Sequence, residues 1–273
     1  MKFKFKKITF VFLVFILTNM FVVTAENSKP DEVITKYLQA LEFGEIDTAY
    51  AMLTDNLKQK TAREDFATAF NLRNKVSLLQ ETTIFSSTSL IDKKLDNVMY
   101  SQAIEYSVHF VYFDYVTNKT AKTSKKIYIV KENNKWSVHS SASENINLYL
   151  SKLYTAQGYI LLENNDAKDN IPDAILSLRK AIEYSHVNID AHFFLSRAYT
   201  ECELYDESIA EGLIAINLIQ DDNISKARLL YNIGYSFSKK NDMEKAAYYW
   251  RESLKADPGN EHSKFALQSL EVK

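Results

Sequence analysis

Residues 230–260 read LYNIGYSFSKKNDMEKAAYYWRESLKADPGN, and the spacing within this stretch decides the fold of the C-terminal half. Leu230, Ile233, Gly234 and Phe237 recur at helical spacing on one segment, and Ala246, Trp250 and Ser253 do so on the next. Gly234, Ala246 and Ser253 are small, which lets two antiparallel helices approach closely. Asp257-Pro258-Gly259-Asn260 ends the unit. The same arrangement occurs twice upstream: Gly158-Tyr159, Ser196-Arg197 and Gly234-Tyr235 follow one another at intervals of 38 residues. Second helices carry Ala174, Leu178 and Ala181 in the first unit and Ser208, Gly212 and Ala215 in the second. Residues 150–273 are therefore expected to form three helix pairs, with His262–Leu270 as a final helix over the last apolar face.

This pattern resembles the tetratricopeptide repeat, whose unit usually has about 34 residues. The third unit matches at Leu230, Ile233, Gly234, Phe237, Ala246, Trp250 and Pro258, with Ser253 where Ala is usual. The second matches at Leu195, Ser196, Tyr199 and Ala215 but departs at Ser208 and Gly212. The first matches at Gly158, Leu161, Ala174 and Ala181, with extra residues expected in a turn around Asp166–Ile171. The resemblance covers residues 151–260 and implies an all-α superhelix whose first helices face a concave ligand surface. Carried onto this sequence, it places Tyr159, Phe193, Arg197, Arg228, Tyr231, Tyr235 and Lys239 on that surface as the binding residues. Lys152, Thr155, Leu162, Glu163, Asp190, Thr200, Glu201 and Ser238 accompany them. Arg228, Tyr231, Tyr235 and Lys239 form the expected anchor, because flat aromatics beside a cation commonly supply interface energy. Carboxylates in the first two units argue against a dense basic clamp for an acidic peptide terminus.

The N-terminal half has a different period. Pro30-Asp31-Glu32 opens a helix with Val33, Ile34, Tyr37, Leu38 and Leu41 on its apolar face, and Gly44 ends it. A second helix is expected over Glu45–Leu53 and a third from Thr61, with Glu64 completing a capping box. Val76–Phe85, Met99–Val116, Ser124–Lys131 and Lys135–His139 are rich in β-formers and read as strands, the last two joined by an Asn133-Asn134 turn. Both faces of the second strand's distal half are apolar, so cover on both sides or a cavity is expected there. Gly44, Asp47, Ala49 and Tyr50, followed much later by Trp136-Ser137-Val138, resemble the nuclear-transport-factor-2-like domain in its bacterial extracytoplasmic form. That resemblance covers residues 30–143 and implies an α+β cone with a curved antiparallel sheet. It also implies either an apolar-substrate enzyme or an inert binding domain. His109 and Asp114 lie on the long strand, and the reading assigns neither a catalytic role.

The chain opens MKFKFKKITFVFLVFILTNMFVVTA, four lysines before an apolar run and then a small-residue site, the layout of a secretory signal peptide over residues 1–25. Membrane contact follows only if that segment stays uncleaved. Over the whole chain 33 Lys and Arg face 35 Asp and Glu; without the leader's lysines the balance is 29 to 35, a net charge of −6. Such a chain has no basic excess for nucleic acid, and the lysines between Lys119 and Lys126 read as a strand edge guarded against pairing. Many Asn and Lys residues with one Cys resemble a bacterial product of an AT-rich genome. Cys202 has no internal disulfide partner and is expected to be a buried, packed thiol.

No P-loop, GxGxxG, GxSxG or HExxH pattern occurs, and a lone cysteine rules out a thiolate zinc site. No catalytic residue, cofactor or metal is assigned. A short polar linker over residues 144–149 separates the halves. The expected protein is multidomain, an α+β cone followed by a helical-repeat superhelix. It is exported, non-enzymatic and located at the cell envelope, and it binds a protein or peptide. The alternatives are a small apolar ligand in the cone cavity and self-association as a structural envelope component.

Overall fold

A computed structural model of the chain describes residues 3–6, 28–140, 146–163 and 167–271. It divides into two units, Met1–Ile146 and Asn147–Lys273. The expected leader lies outside the described residues except for β1 (Phe3–Lys6), which pairs antiparallel with Glu81–Ile84.

In the first unit, Pro30 occupies the opening turn of α1 (Pro30–Phe43), where its missing N–H costs nothing. Gly44 closes the helix at φ 75°, a left-handed conformation that favours glycine. After α2 (Ile46–Ala51) comes a helix the sequence pattern did not announce, α3 (Asp55–Lys60). Thr54 caps it by accepting from the Leu57 N–H at 3.4 Å. Thr61, expected to cap the next helix, instead closes α3 in extended conformation, and α4 (Arg63–Val76) starts behind Ala62 without a side-chain cap. Two short helices in quick succession leave no room for the expected capping box.

The sheet has five strands in the order β1-β2-β3-β4-β5, all antiparallel neighbours: β2 (Ser77–Leu95), β3 (Val98–Asp114), β4 (Lys119–Glu132) and β5 (Lys135–Ser140) follow β1. Asn133 and Asn134 turn the last hairpin with φ of 50° and 60°, as two-residue turns of the primed type require. Asp96-Asn97 does the same between β2 and β3, at φ 48° and 68°. This second turn extends β2 ten residues beyond its expected end at Phe85, through a serine- and lysine-rich segment with Leu90 and Ile91 at its centre. Register shifts at Leu79/Glu81 and Ile84/Ser86 interrupt the β2–β3 ladder.

Ile34, Tyr37 and Leu38 of α1 pack with Tyr106, Val108, Ile127, Ile129 and Val138 of the sheet, and Phe66 and Phe110 close in around them. Burying each large apolar side chain contributes about 1.5–3 kcal/mol. The other face is less covered than expected for β3: Phe85 and Tyr115 stay exposed, and Val111 and Phe113 are half-buried. The outer edge of β5 is occupied by the chain at Met52–Thr54, with Val138 donating to the Met52 carbonyl at 2.7 Å and accepting from Thr54 N at 2.9 Å. Lys119–Lys126 of β4 pair with β3 alone, so the lysine-rich segment is an open strand edge among the described residues.

The second unit is a run of helices: α5 (Ile146–Glu163), α6 (Ala167–Tyr184), α7 (Ile189–Glu201), α8 (Tyr205–Leu218), α9 (Asn223–Lys239), α10 (Met243–Ala256) and α11 (Glu261–Glu271). Residues 167–171, expected in a turn, are already helical in α6. Within pairs the contacts depend on missing side-chain bulk. A Cβ on Gly158 would stand 2.6 Å from Leu178, and one on Gly234 would stand 2.5 Å from Trp250. Where small residues are serines, their hydroxyls are satisfied across the helix contact: Ser151 donates to the Ala181 carbonyl at 2.6 Å and Ser253 to the Ala227 carbonyl at 2.8 Å. Ser208, a departure from the repeat pattern, joins Ser196, Thr200 and Ser236 in a buried hydroxyl network at 2.7–3.2 Å. Polar substitutions are tolerated inside this contact because every hydroxyl in it finds a partner.

Candidate ligand-binding cleft

Three first helices, α5, α7 and α9, line a cleft of about 410 Å³. Tyr159 and Glu163 come from α5, Ile189, Asp190, Phe193, Phe194 and Arg197 from α7, and Ser225, Arg228 and Leu229 from α9. Its aromatic part is continuous: Tyr159 lies 5.0 Å from Phe194 between ring centroids, and Phe194 meets Phe193 edge-on at 5.3 Å. The Arg228 guanidinium sits 5.3 Å from the Phe193 centroid, a cation over an aromatic face. Arg197 is bound by Glu163 across the helices and by Glu201 along its own at 3.0 Å. Burial alone would lower the Arg197 pKa, but its hydrogen bond to Glu163 and the charges of Glu163 and Glu201 raise it overall.

Of the seven expected binding residues, Tyr159, Phe193, Arg197 and Arg228 line this cleft, and Tyr231, Tyr235 and Lys239 do not. Tyr231 packs against Trp250 and Ala266, and its ring lies 5.3 Å from His262, so α11 covers it. Lys239 stands 5.2 Å over the Tyr235 ring on exposed surface. Thr155 and Leu162, expected to face ligand, are buried instead: Thr155 bonds the Ser151 carbonyl, and Leu162 packs with Leu178 and Leu195. Thr200 is spent on the hydroxyl network. Ile189, Phe194, Ser225 and Leu229 line the cleft without a signal in the repeat pattern. Adjacent Phe193-Phe194 was the available signal, since a cleft between helices admits two neighbouring positions per turn.

Two buried histidines lie outside the cleft in opposite electrostatic settings. His192 is nearly fully buried, its Nδ1 2.6 Å from Glu211 and its Nε2 3.1 Å from the His186 carbonyl. A carboxylate and a carbonyl only accept, so both ring nitrogens donate and the ring is an imidazolium. Burial lowers its pKa, but these two hydrogen bonds and the Glu211 charge leave it raised. In the first unit, His139 Nδ1 lies 3.2 Å from the Thr54 hydroxyl and Nε2 3.5 Å from Asp96, which also pairs with Lys60 at 3.0 Å. Burial dominates there and lowers the His139 pKa, with Asp96 opposing and Lys60 assisting. The order carboxylate, imidazole, hydroxyl is that of an activated nucleophile. Thr54 is nonetheless 0% exposed and accepts the α3 N–H, so its hydroxyl meets no substrate. The His109 ring lies 3.8 Å from that of Phe85, tilted by 39°.

Cys202 is exposed, contrary to expectation: α7 ends at Glu201, and the turn through Glu203 at φ 61° carries the thiol out of the helix contact. Among the described residues no three His, Cys, Asp or Glu side chains gather to hold a metal ion, and no helix is long and apolar enough to cross a membrane.

No protein-family model matches the chain, and no curated protein gives a significant match. Among solved structures the chain is similar to the N-terminal domain of stress-induced protein-1 from C. elegans, at 20% identity and TM-score 0.41 over 46% of this chain and 98% of that one. It is also similar to the first TPR of Spaghetti bound to an HSP90 peptide, at 13% identity and TM-score 0.41 over 46% of this chain and 93% of that one. For YrrB, a TPR protein with an unusual peptide-binding site, identity is 17% and TM-score 0.39 over 46% of this chain and 66% of that one. Within the second unit the helix pairs approach closely at Gly158 and Gly234, where the sequence pattern placed small residues.

Proposed function

We infer that this chain is an exported, non-enzymatic adaptor that binds a protein or peptide segment in the cleft of its helical repeats. One observation carries the reading: three successive first helices converge on a cleft floored by Tyr159, Phe193 and Phe194 and edged by Arg197 and Arg228. Aromatic rings and arginines are the residue types that supply most binding energy at protein interfaces. The first unit is read as a nuclear-transport-factor-2-like domain that positions the repeats or binds a second partner. Its interior, filled by Tyr37, Phe66, Tyr106 and Phe110, supports that role over a small apolar ligand. Export rests on the sequence of residues 1–25, whose removal would take β1 with it and leave β2–β5 as the sheet.

The test is affinity capture from envelope extract with the native chain and with a Phe193→Ala, Arg228→Ala variant shown by circular dichroism to remain folded. A partner held by the native chain and lost by the variant is the expected result. Equal capture by both removes the cleft from the reading. Mass spectrometry of the secreted or envelope-bound chain is expected to find residue 26 as its first residue, and an intact leader there overturns cleavage.

A further inference from the structure

The charges in the cleft divide into those the fold has already used and one it has not. Arg197 donates to Glu163 and, at 3.0 Å, to Glu201, so its guanidinium is taken up by carboxylates of its own unit. Asp190 stands in the first turn of α7, where the unpaired N–H groups of the helix end favour a negative charge. Arg228 has no such partner. It is exposed, lies inside α9 beyond the first turn, and forms no ion pair or hydrogen bond among the described residues. Asp222 senses its charge, but that carboxylate accepts from Ser225 N at 3.0 Å as the cap of α9. With one face against the Phe193 ring, the guanidinium keeps its in-plane N–H donors without an acceptor. Beside it lies the aromatic surface of Phe194 and Tyr159.

We propose that the cleft selects a peptide segment carrying an aromatic or large aliphatic side chain and, a few residues away, one acidic side chain. The apolar group rests on Tyr159 and Phe194, and the carboxylate accepts two parallel N–H bonds from Arg228. This rests on the peptide-binding reading above and adds the chemical class of the ligand. A single acidic side chain fits the cleft, because Arg228 is its one cation without a carboxylate partner among the described residues, and Glu163, Glu201 and Asp190 discourage a second anion.

The full chain is panned against a random peptide library displayed on phage, with a protein-free surface as control. Enriched peptides are synthesised in acidic and amide forms and titrated by fluorescence anisotropy against the native chain and Arg228→Gln. Enriched sequences are expected to share an acidic residue near an aromatic or aliphatic one. Replacing that acid by its amide is expected to weaken native binding about ten- to a hundredfold, the range for a hydrogen-bonded charged group, and to leave Arg228→Gln unchanged. Arg228→Lys, which keeps the charge but not the planar fork, is expected to recover only part of the loss. Enriched peptides without acidic residues, or an equal acid-to-amide loss in both proteins, overturn the acidic ligand while leaving peptide binding in place. No enrichment above the protein-free control overturns both.

Discussion

The two units solve the packing problem in opposite ways. The first is held by bulk: Ile34, Ile129, Val108 and Val138 are fully buried between α1 and strands distant in sequence. In the second, the closest helix contacts lie where bulk is missing, at Gly158, Gly212 and Gly234, with Ala174, Ala181, Ala215 and Ala246 fully buried. A sheet presents a flat face that large side chains must fill, whereas paired helices are cylinders whose approach is set by the smallest residues between them. The two units should therefore fail under opposite kinds of substitution.

Removing volume gives the largest expected effect, and in the first unit. Ile34→Ala or Ile129→Ala is expected to cost about 2–5 kcal/mol, since each leaves a cavity that α1 and the sheet cannot close. Hydrogen exchange resolved along the chain should show the loss in residues 30–140 and unchanged protection in α7–α10. Equal loss in both would make them one cooperative body and end the comparison.

Adding volume comes next, and in the second unit. Gly234→Ala gains about 1 kcal/mol of helix propensity. The new Cβ, however, meets the Trp250 indole at 2.5 Å and the Ala246 carbonyl oxygen, a backbone atom, at 3.0 Å. Overpacking of this kind costs about 1–3 kcal/mol, so the net change is destabilising. Gly158→Ala meets the Leu178 side chain and no backbone atom, and is expected to cost less. Urea midpoints of the two variants measure the difference, and a stabilised Gly234→Ala would refute the close-approach account.

The buried histidines extend the contrast to pH. The His139 pKa is depressed, so as pH falls below the unfolded value of about 6.5 the unfolded chain takes up the proton first and the first unit weakens. The His192 pKa is raised; its contribution is complete below about 6.5 and is lost as pH rises through the folded value. Acid should thus loosen the sheet unit and mild alkali the repeats. Urea unfolding at a series of pH values, read by exchange in each unit, checks the signs. His192→Gln should flatten the alkaline side, and His139→Gln should flatten the acid side.

What could be read from the sequence follows the range of the interactions concerned. Gly44, the Asn133-Asn134 turn and the Gly234–Trp250 contact are governed by neighbours within a few turns, and all three are visible as local signals. The far half of β2 is rich in serine and lysine and finds its place where Asp96-Asn97 folds it back on β3 and Leu90 and Leu95 reach a core cluster. Thr61 carries a cap signature that α3 pre-empts: Thr54, held 3.2 Å from a histidine 85 residues away, caps α3, and Thr61 closes it. At the cleft, the 38-residue interval brings Tyr159 and Arg197 to equivalent places. Tyr235 shares that place in the third unit but lies outside the cleft, and Tyr231 is covered by α11.

Cys202 offers the smallest effect and a sharp check on where the tight helix contact ends. Four residues earlier Ala198 is fully buried, and a helix continued through Cys202 would keep the thiol on the same face. The chain instead leaves the helix after Glu201, and the thiol faces solvent. Cys202→Ser is therefore expected to change stability by no more than about 0.5 kcal/mol, as for a surface site. The native protein should also react with a disulfide reagent without denaturant. Slight desolvation and the Glu201 charge hold the exposed thiol's pKa above its ordinary value, so the reaction should be slow near neutrality and accelerate as pH rises. A thiol that reacts only after unfolding, together with a costly serine variant, would extend the small-residue contact of the second repeat past Glu201.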